Sequence, residues 1–378
     1  MLIKRTILSS IKKALDGDKR VIILYGPRQV GKTTLINMLL SELNTANLIL
    51  NGDDLRTQEL LGRQDLDRFK KLIGENKLII IDEAQRINNI GLSLKLIFDN
   101  IPVFIIASGS SSLDLANKIN EPLTGRSLTF YLYPISVDEL SPAPPDTDIS
   151  SRLDEFLRFG MYPKVLTTPG VEDKQNYLYE LISNYLYKDI LSFETVRKPK
   201  KVIDLLSLIA LQIGSEVSIA ELSQHLALSK PIVEKYLDLL EKMFIIVNLR
   251  GFSRNLRKEI YKMSKYYFWD LGIRNALIRN FNPLSIRTDS GSMFENFCMI
   301  ERFKALANKR RFANFYFWRT YDQQEIDLIE ERDGKLHGYE FKRSDTKKIK
   351  PPKDWIDTYK GAGYSVVTPQ NFLSFINK

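Results

Sequence analysis

Gly26-Pro27-Arg28-Gln29-Val30-Gly31-Lys32-Thr33, followed by Thr34, has the composition and spacing of a phosphate cradle. Glycines let the backbone turn tightly enough for its N–H groups to converge on an anion, and a helix N-terminus behind them adds positive potential. Lys32 is then placed to reach the β- and γ-phosphates, and the Thr33 hydroxyl to help hold Mg²⁺. A second pair, Asp82-Glu83, closes the apolar run Leu78-Ile79-Ile80-Ile81. Ligands bind beyond the C-terminal ends of buried parallel strands, so Asp82 is expected to hold Mg²⁺ through water and Glu83 to orient or activate the attacking water.

Particular elements must position these residues. Val21–Tyr25 predicts a buried strand into the loop and Leu35–Leu40 a helix out of it, the context that separates a P-loop from a surface turn. Residues 102–107 predict another buried strand, ending in Ser108-Gly109-Ser110-Ser111-Ser112. Ser108 or Ser110 could sense a γ-phosphate there; a loop of small polar residues is the alternative. Asn47–Asn51 and Leu128–Leu132 add strands, and their alternation with helical stretches predicts a parallel sheet covered on both faces. Arg126 precedes the last strand. It could stabilise transition-state charge in its own or a neighbouring copy's site, or serve as a structural ion-pair partner.

With 378 residues the chain exceeds one ordinary core, and two to four domains are expected. Its 44% hydrophobic and 27% charged residues are ordinary for a soluble globular protein. A single cysteine, Cys298, excludes an internal disulfide and fits a reducing compartment, and His225 and His337 cannot complete a zinc site with it. No apolar run approaches the ~18 residues of a spanning helix, so a cytoplasmic protein with no membrane partner is expected. The net charge of +9 favours a polyanion such as nucleic acid, against a merely solvated basic surface. One basic cluster holds Arg250, Arg254, Arg257, Lys258, Lys262 and Lys265; another holds Lys342, Arg343, Lys347, Lys348, Lys350 and Lys353.

Taken together, the P-loop with its second threonine, Ile-Asp-Glu-Ala-Gln at 81–85, Ala-Ser-Gly-Ser-Ser-Ser at 107–112, Thr-Gly-Arg-Ser at 124–127 and Tyr-Pro-Ile-Ser-Val-Asp-Glu-Leu at 133–140 resemble the prokaryotic AAA-type ATPases of the extended kind, which carry a C-terminal domain of unknown function. Phe159-Gly160-Met161-Tyr162-Pro163 resembles the Gly-Gly-Tyr-Pro element of these proteins, with Met161 in place of the second glycine, and Tyr187-Lys188-Asp189-Ile190 also matches. The resemblance implies ATP rather than GTP, Mg²⁺, hydrolysis, and a helical lid after the proline-rich boundary at 142–146.

Beyond the lid, Ser218 and Glu221 have capping-box spacing, Ser229 opens a second helix with an apolar stripe at Val233, Tyr236, Leu237 and Leu240, and two strands follow at 244–247 and 265–269. This predicts a winged helix-turn-helix. Glu234, Asp238 and Glu241 on its second helix would repel phosphates, so base-specific reading is not expected. From Ser292 the order helix, three strands, helix, strand resembles the restriction-endonuclease-like α/β core with its PD-(D/E)xK motif. Glu340 and Lys342 are two apart on a strand and share a face, with Asp327 on the preceding strand and Glu295 on the helix. Glu295, Asp327 and Glu340 could hold Mg²⁺, and Lys342 could orient a water or stabilise a pentacoordinate phosphate. A solvated strand edge is the alternative.

The expected architecture is α/β and multidomain: an AAA-type core at 1–145, a helical lid at 146–200, a winged helix at 201–285 and a nuclease-like domain at 286–378. The expected function is Mg²⁺-dependent ATP hydrolysis associated with nucleic acid, in a chain able to form a homo-oligomer, with a Mg²⁺-dependent nuclease activity at the C-terminal site. The alternative is a nucleotide-dependent switch that binds nucleic acid or protein, its C-terminal domain a catalytically silent docking fold.

Overall fold

The continuous apolar runs at Val21–Tyr25, Leu78–Asp82 and Phe104–Gly109 become central strands buried almost throughout, as expected of a parallel sheet's interior, whereas the edge strands Asn47–Asn51 and Ser127–Tyr131 are partly exposed. A computed structural model describes residues 2–43, 45–110, 122–140, 149–183, 196, 198–253, 264–320, 322–344 and 349–378. The proline-rich boundary at 142–146, Tyr187–Ile190, Ser111, Ser112, Arg254, Arg257, Lys258, Lys262, Lys347 and Lys348 lie outside the described residues. The chain divides into two units, one formed by Leu2–Pro134 with Lys242–Phe244, the other by Ile135–Glu241 with Ile245–Lys378.

In the first unit β1 (Val21–Tyr25), β2 (Asn47–Asn51), β3 (Leu78–Asp82), β4 (Phe104–Gly109) and β5 (Ser127–Tyr131) form one parallel sheet in the order β2-β3-β4-β1-β5. Helices α1 (Ile7–Leu15), α2 (Lys32–Glu42), α3 (Leu55–Gly62), α4 (Leu66–Ile73) and α5 (Ile90–Asn100) accompany it. β4 begins two residues later than the sequence suggests, since Pro102 has no N–H to donate to a ladder. Asp54 and Asp65 start α3 and α4 by accepting hydrogen bonds from N–H groups of the first turn. Pairing of Tyr25 with Gly109 and of Asn51 with Asp82 brings the loop after β1, Asp82 and Ser108 to the same C-terminal edge of the sheet.

The second unit opens with α6 (Leu153–Phe159), α7 (Pro163–Thr167), α8 (Val171–Leu181) and α9 (Pro199–Leu211), followed by α10 (Ile219–Leu226) and α11 (Lys230–Lys242). The Ser218 hydroxyl accepts from the Glu221 N–H at 3.3 Å and starts α10. Next come β6 (Ile246–Gly251), β7 (Ser264–Phe268), α12 (Leu271–Leu277), α13 (Ser290–Asn308), β8 (Asn314–Arg319), β9 (Glu325–Arg332), β10 (Lys335–Phe341), α14 (Lys353–Thr358), β11 (Gly363–Val367) and α15 (Phe372–Asn377). The strands lie in one six-stranded sheet of order β11-β10-β9-β8-β6-β7. β6 and β7 are an antiparallel pair, and β6 joins β8 in parallel through Arg250 and Gly251. The strands expected for a wing and those expected for the C-terminal domain therefore share a single sheet, which continues across position 285. Trp318, Ile326, Ile329, Trp355 and Tyr359 form a buried cluster against it. Among the described residues no helix is long and apolar enough to cross a membrane.

Candidate nucleotide site and C-terminal carboxylate cluster

The P-loop leaves β1 and closes on the first turn of α2. Gly31 has φ +98° and Gln29 φ +59°, so the loop passes twice through the left-handed region. Gly26 lies against the backbone of β5's end: a Cβ there would come within 2.3 Å of the Leu132 carbonyl oxygen. Val30 is buried, Arg28 is partly buried, and Thr33 and Thr34 are exposed at the helix start. Lys32 is buried, and its Nζ donates to the carbonyls of Gly26 (2.8 Å) and Pro27 (3.1 Å), folding the ammonium over the loop.

Asp82 joins the two sides of this edge. Its Oδ2 accepts from the Thr33 hydroxyl at 2.7 Å, and its Oδ1 accepts from the Ser108 hydroxyl and, at 3.1 Å, from the Glu83 N–H. A hydroxyl and a carboxylate oxygen in contact beside a loop of inward N–H groups are hard donors that suit Mg²⁺ bridging to a phosphate. Glu83 occupies the left-handed region, φ +51°, and Gly52 admits this turn because a Cβ at 52 would lie 2.2 Å from the Glu83 carbonyl oxygen. Gln85 Nε2 donates both to Glu83 Oε2 (2.5 Å) and to Ser110 Oγ (3.0 Å).

Two residues here were not anticipated. Gln85 lies in the Ile-Asp-Glu-Ala-Gln run, but its role appears only when β4 brings Ser110 beside Glu83. Arg5, buried, donates to the Val30 carbonyl at 3.0 Å and the Tyr133 carbonyl at 2.6 Å, buttressing the back of the loop; nothing local in the sequence marks it. Arg126 needs a correction. Its carbonyl accepts from the Val21 N–H, which puts it at the N-terminal end of β5, the opposite edge of the sheet from the P-loop. Parallel strands of five residues hold these edges roughly 16 Å apart. Arg126 instead pairs with Asp99 at 3.0 Å, the arrangement of a structural ion-pair partner and not of a group at its own chain's nucleotide site.

In the second unit Glu325 and Asp327 share a face of β9, and the β9–β10 register, continued one step past Tyr339–Leu328, sets Glu340 opposite Asp327. Asp327 Oδ2 accepts from the Phe341 N–H at 2.8 Å. Glu340 Oε1 pairs with Lys342 Nζ at 2.7 Å, and Glu295 Oε1 accepts from the Tyr267 hydroxyl at 2.5 Å. Lys265 also needs a correction: assigned from sequence to a basic surface cluster, it is 2% exposed and its ammonium is ion-paired with Glu325. Burial first, then Glu295 and Glu340, push the Asp327 carboxyl well above its usual range, and burial raises Glu295. Sequence reasoning did bring Glu295, Asp327, Glu340 and Lys342 to one neighbourhood, but missed Lys265, Tyr267 and Glu325 as its members. Among the described residues no three Asp, Glu, His or Cys side chains are arranged to hold one metal ion.

The Phe159–Pro163 element is a backbone crossing. Gly160 has φ +73°, and a Cβ there would lie 2.0 Å from Asp270 Oδ1. Asp270 accepts from Met161 N (2.6 Å), Gly272 N (2.8 Å) and Ile273 N (3.2 Å), and the Met161 carbonyl accepts from Ile135 N at 3.0 Å. Burial pushes the Asp270 carboxyl up to about 6 against these backbone donors. Glu216, Glu234, Asp238 and Glu241 line a cleft of about 710 Å³ beside α11, with Lys230 and Arg250 at the same cleft. Such a carboxylate-rich lining disfavours a phosphate backbone.

Three segments of the chain match known domain families. Residues 18–141 match the AAA domain, residues 150–284 a domain of unknown function (DUF8612), and residues 290–376 another domain of unknown function (DUF4143). An uncharacterized protein of Mycobacterium tuberculosis is 28% identical over 351 residues, covering 92% of this chain and 75% of that protein. The replication factor C large subunit of Aeropyrum pernix is 33% identical over 95 residues, covering 22% of this chain and 19% of that subunit. Among solved structures, the Walker-type ATPase of Pyrococcus abyssi superposes with a TM-score of 0.51 at 17% identity, covering 73% of this chain and 96% of that one. The P-loop geometry, the strand order and the domain match converge: residues 18–141 match the AAA domain and have the fold of a P-loop ATPase.

Proposed function

We propose that this protein is a Mg²⁺-dependent, ATP-hydrolysing switch that associates with nucleic acid through phosphate contacts, its C-terminal domain acting as a docking fold. One observation carries the hydrolytic reading: Asp82 is shared between Thr33 of the P-loop and Ser108 of β4, with Glu83 held beside them by Gln85. Thr33 and Asp82 are the residues to hold Mg²⁺, which when bound supplies charge neutralisation at the phosphates. The loop N–H groups from Gly26 to Lys32, with Thr33 and Thr34 at the helix start, cradle the polyphosphate. Lys32 exchanges its two loop carbonyls for phosphate oxygens, and Glu83 orients the attacking water. Ser108 and Ser110, tied to Asp82 and to Gln85, are placed to register whether a γ-phosphate is present.

Phosphate release and nucleotide binding, measured side by side, test this. Lys32→Ala is expected to lose both, whereas Glu83→Gln keeps nucleotide binding and loses at least ~10²-fold in turnover, as expected for a residue that positions or deprotonates water. Parental turnover in Glu83→Gln would remove its role.

The docking reading of the C-terminal domain is preferred to a nuclease because no three acidic side chains among the described residues are arranged to hold one metal ion, and a buried ammonium, that of Lys265, is already ion-paired with Glu325 of the same cluster. The net charge of +9 supports a polyanionic partner. Binding to DNA or RNA should weaken steeply with salt, since phosphate contacts release counterions. Salt-insensitive binding would indicate a protein partner instead.

A further inference from the structure

We infer that the C-terminal carboxylate cluster carries its own counter-cation, Lys265, in the place a divalent metal ion would take. The inference rests on reading this domain as a non-cleaving docking fold.

The cation arrives from an unexpected part of the chain. Glu295, Glu325, Asp327 and Glu340 all lie within residues 290–376, whereas Lys265 stands on β7, inside the preceding domain match at 150–284. Lys265 and Tyr267 alternate with Tyr266 along β7, so both project to one face, and each reaches a carboxylate: Lys265 to Glu325, Tyr267 to Glu295. An ammonium only 2% exposed must be compensated where it sits. Lys265 finds that compensation in Glu325 and in the face of the Phe317 ring, with its Nζ 5.2 Å from the ring centroid.

Each carboxylate of the cluster already has a partner within the protein. Tyr267 holds one oxygen of Glu295, the Phe341 N–H one of Asp327, and Lys342 one of Glu340. The second oxygen of Glu340 is buried without a protein partner, but no three acidic groups among the described residues converge as metal ligands. The Lys265 ammonium already acts electrostatically on Glu295 and Asp327 as well as pairing with Glu325, so a divalent ion held by these carboxylates would share their field with a fixed positive charge, and like charges in buried surroundings repel. The two lysines differ in this respect. Lys342 is ion-paired with Glu340 but has 40% of its side chain exposed, whereas Lys265 has only 3% exposed and is enclosed. Lys265 therefore competes with a metal permanently.

The test is a titration of the nucleotide-free, full-length protein with Mn²⁺, following free Mn²⁺ by electron paramagnetic resonance, with Asp327→Asn to identify binding at this cluster. The parental protein is expected to show no Asp327-dependent site. Lys265→Ala, which removes the charge and opens room, is expected to gain one and to recover thermal stability when Mn²⁺ is added; Lys265→Arg is expected to gain none. Should Lys265→Ala fail to fold, Lys265→Met, which keeps most of the stem, takes its place, and the parental titration decides independently. An Asp327-dependent Mn²⁺ site in the parental protein, or a folded neutral variant that gains none, overturns the inference. Incubation of the parental protein with DNA and RNA in Mg²⁺ separates the two readings. Cleavage abolished by Asp327→Asn would remove the docking reading, while a Mn²⁺ site without cleavage would remove only the role of Lys265.

Discussion

Gly26→Ala probes how closely the phosphate cradle is built onto the sheet. A Cβ at position 26 would lie 2.3 Å from the Leu132 carbonyl oxygen, against the 3.0 Å that real Cβ contacts respect, so the backbones must part by the 0.7 Å difference. Leu132 cannot yield cheaply. It is 1% exposed, and its N–H donates to the Tyr25 carbonyl at 2.7 Å, the residue immediately before Gly26. Val30 closes the other side, its Cγ1 3.2 Å from the added carbon. The loop is therefore the part that moves. A displacement approaching 1 Å between bound phosphates and catalytic groups costs on the order of 10²-fold in rate, equivalent to ~2.7 kcal/mol of transition-state stabilisation. The assay is phosphate release at saturating ATP, paired with titration of a fluorescent ATP analogue. Trp269, Trp318 and Trp355 all lie in the other unit, so an unchanged tryptophan unfolding transition would show that that unit is unaffected, and parental far-UV circular dichroism that the first unit is still folded. Turnover and nucleotide affinity both within about threefold of parental, far short of the effect expected for such a displacement, would refute the claim that the β5 backbone walls the loop.

Two further predictions concern the second unit. Gly160→Ala should destabilise it by roughly 3–5 kcal/mol, since φ +73° with ψ −165° is a glycine conformation and the new methyl would displace Asp270 from its three N–H donors. Gly361→Ala, with φ +87° but nothing within 4 Å, should cost only about 1 kcal/mol, and equal urea midpoints for the two variants would contradict this. The Asp270 carboxyl, raised by burial from 3.8 to about 6, is protonated more readily in the folded than in the unfolded chain. Its stabilising protonation is complete below the unfolded value and is lost as pH rises through about 6. Stability of the parental protein relative to Asp270→Asn should accordingly fall by ~3 kcal/mol between pH 3.5 and 7, and a pH-independent difference in denaturation free energy would remove the shift.

The residues of the candidate nucleotide site could be placed on their elements from sequence because their determinants are local. Glycines, a lysine and a threonine within one loop, and a carboxylate pair ending an apolar run, need no knowledge of distant contacts to be placed on a strand end or a helix start. The strands of the first sheet followed from their apolar runs for the same reason. Asp327, Glu340 and Lys342 were legible as a group because strand alternation assigns each a face, and Glu295 joined them on the helix that the resemblance places before those strands. Other features depended on pairing between segments far apart in the chain. Parallel pairing of β5 with β1 put Arg126 at the edge of the sheet away from the P-loop, and the pairing of β3 with β4 set Ser110 where Gln85 could join it to Glu83. Lys265 shows the difference most clearly. From its neighbours in sequence it belonged to a basic surface run, and a formal charge count cannot say otherwise. Only the joining of β6 to β8, which carries one sheet across position 285, brings β7 beside α13 and buries that ammonium among carboxylates. The sequence by itself determined which chemical groups this protein possesses and which strand ends and helix starts present them. Tertiary structure decided which of those groups meet, because register and strand order are set by non-local burial that no single segment encodes.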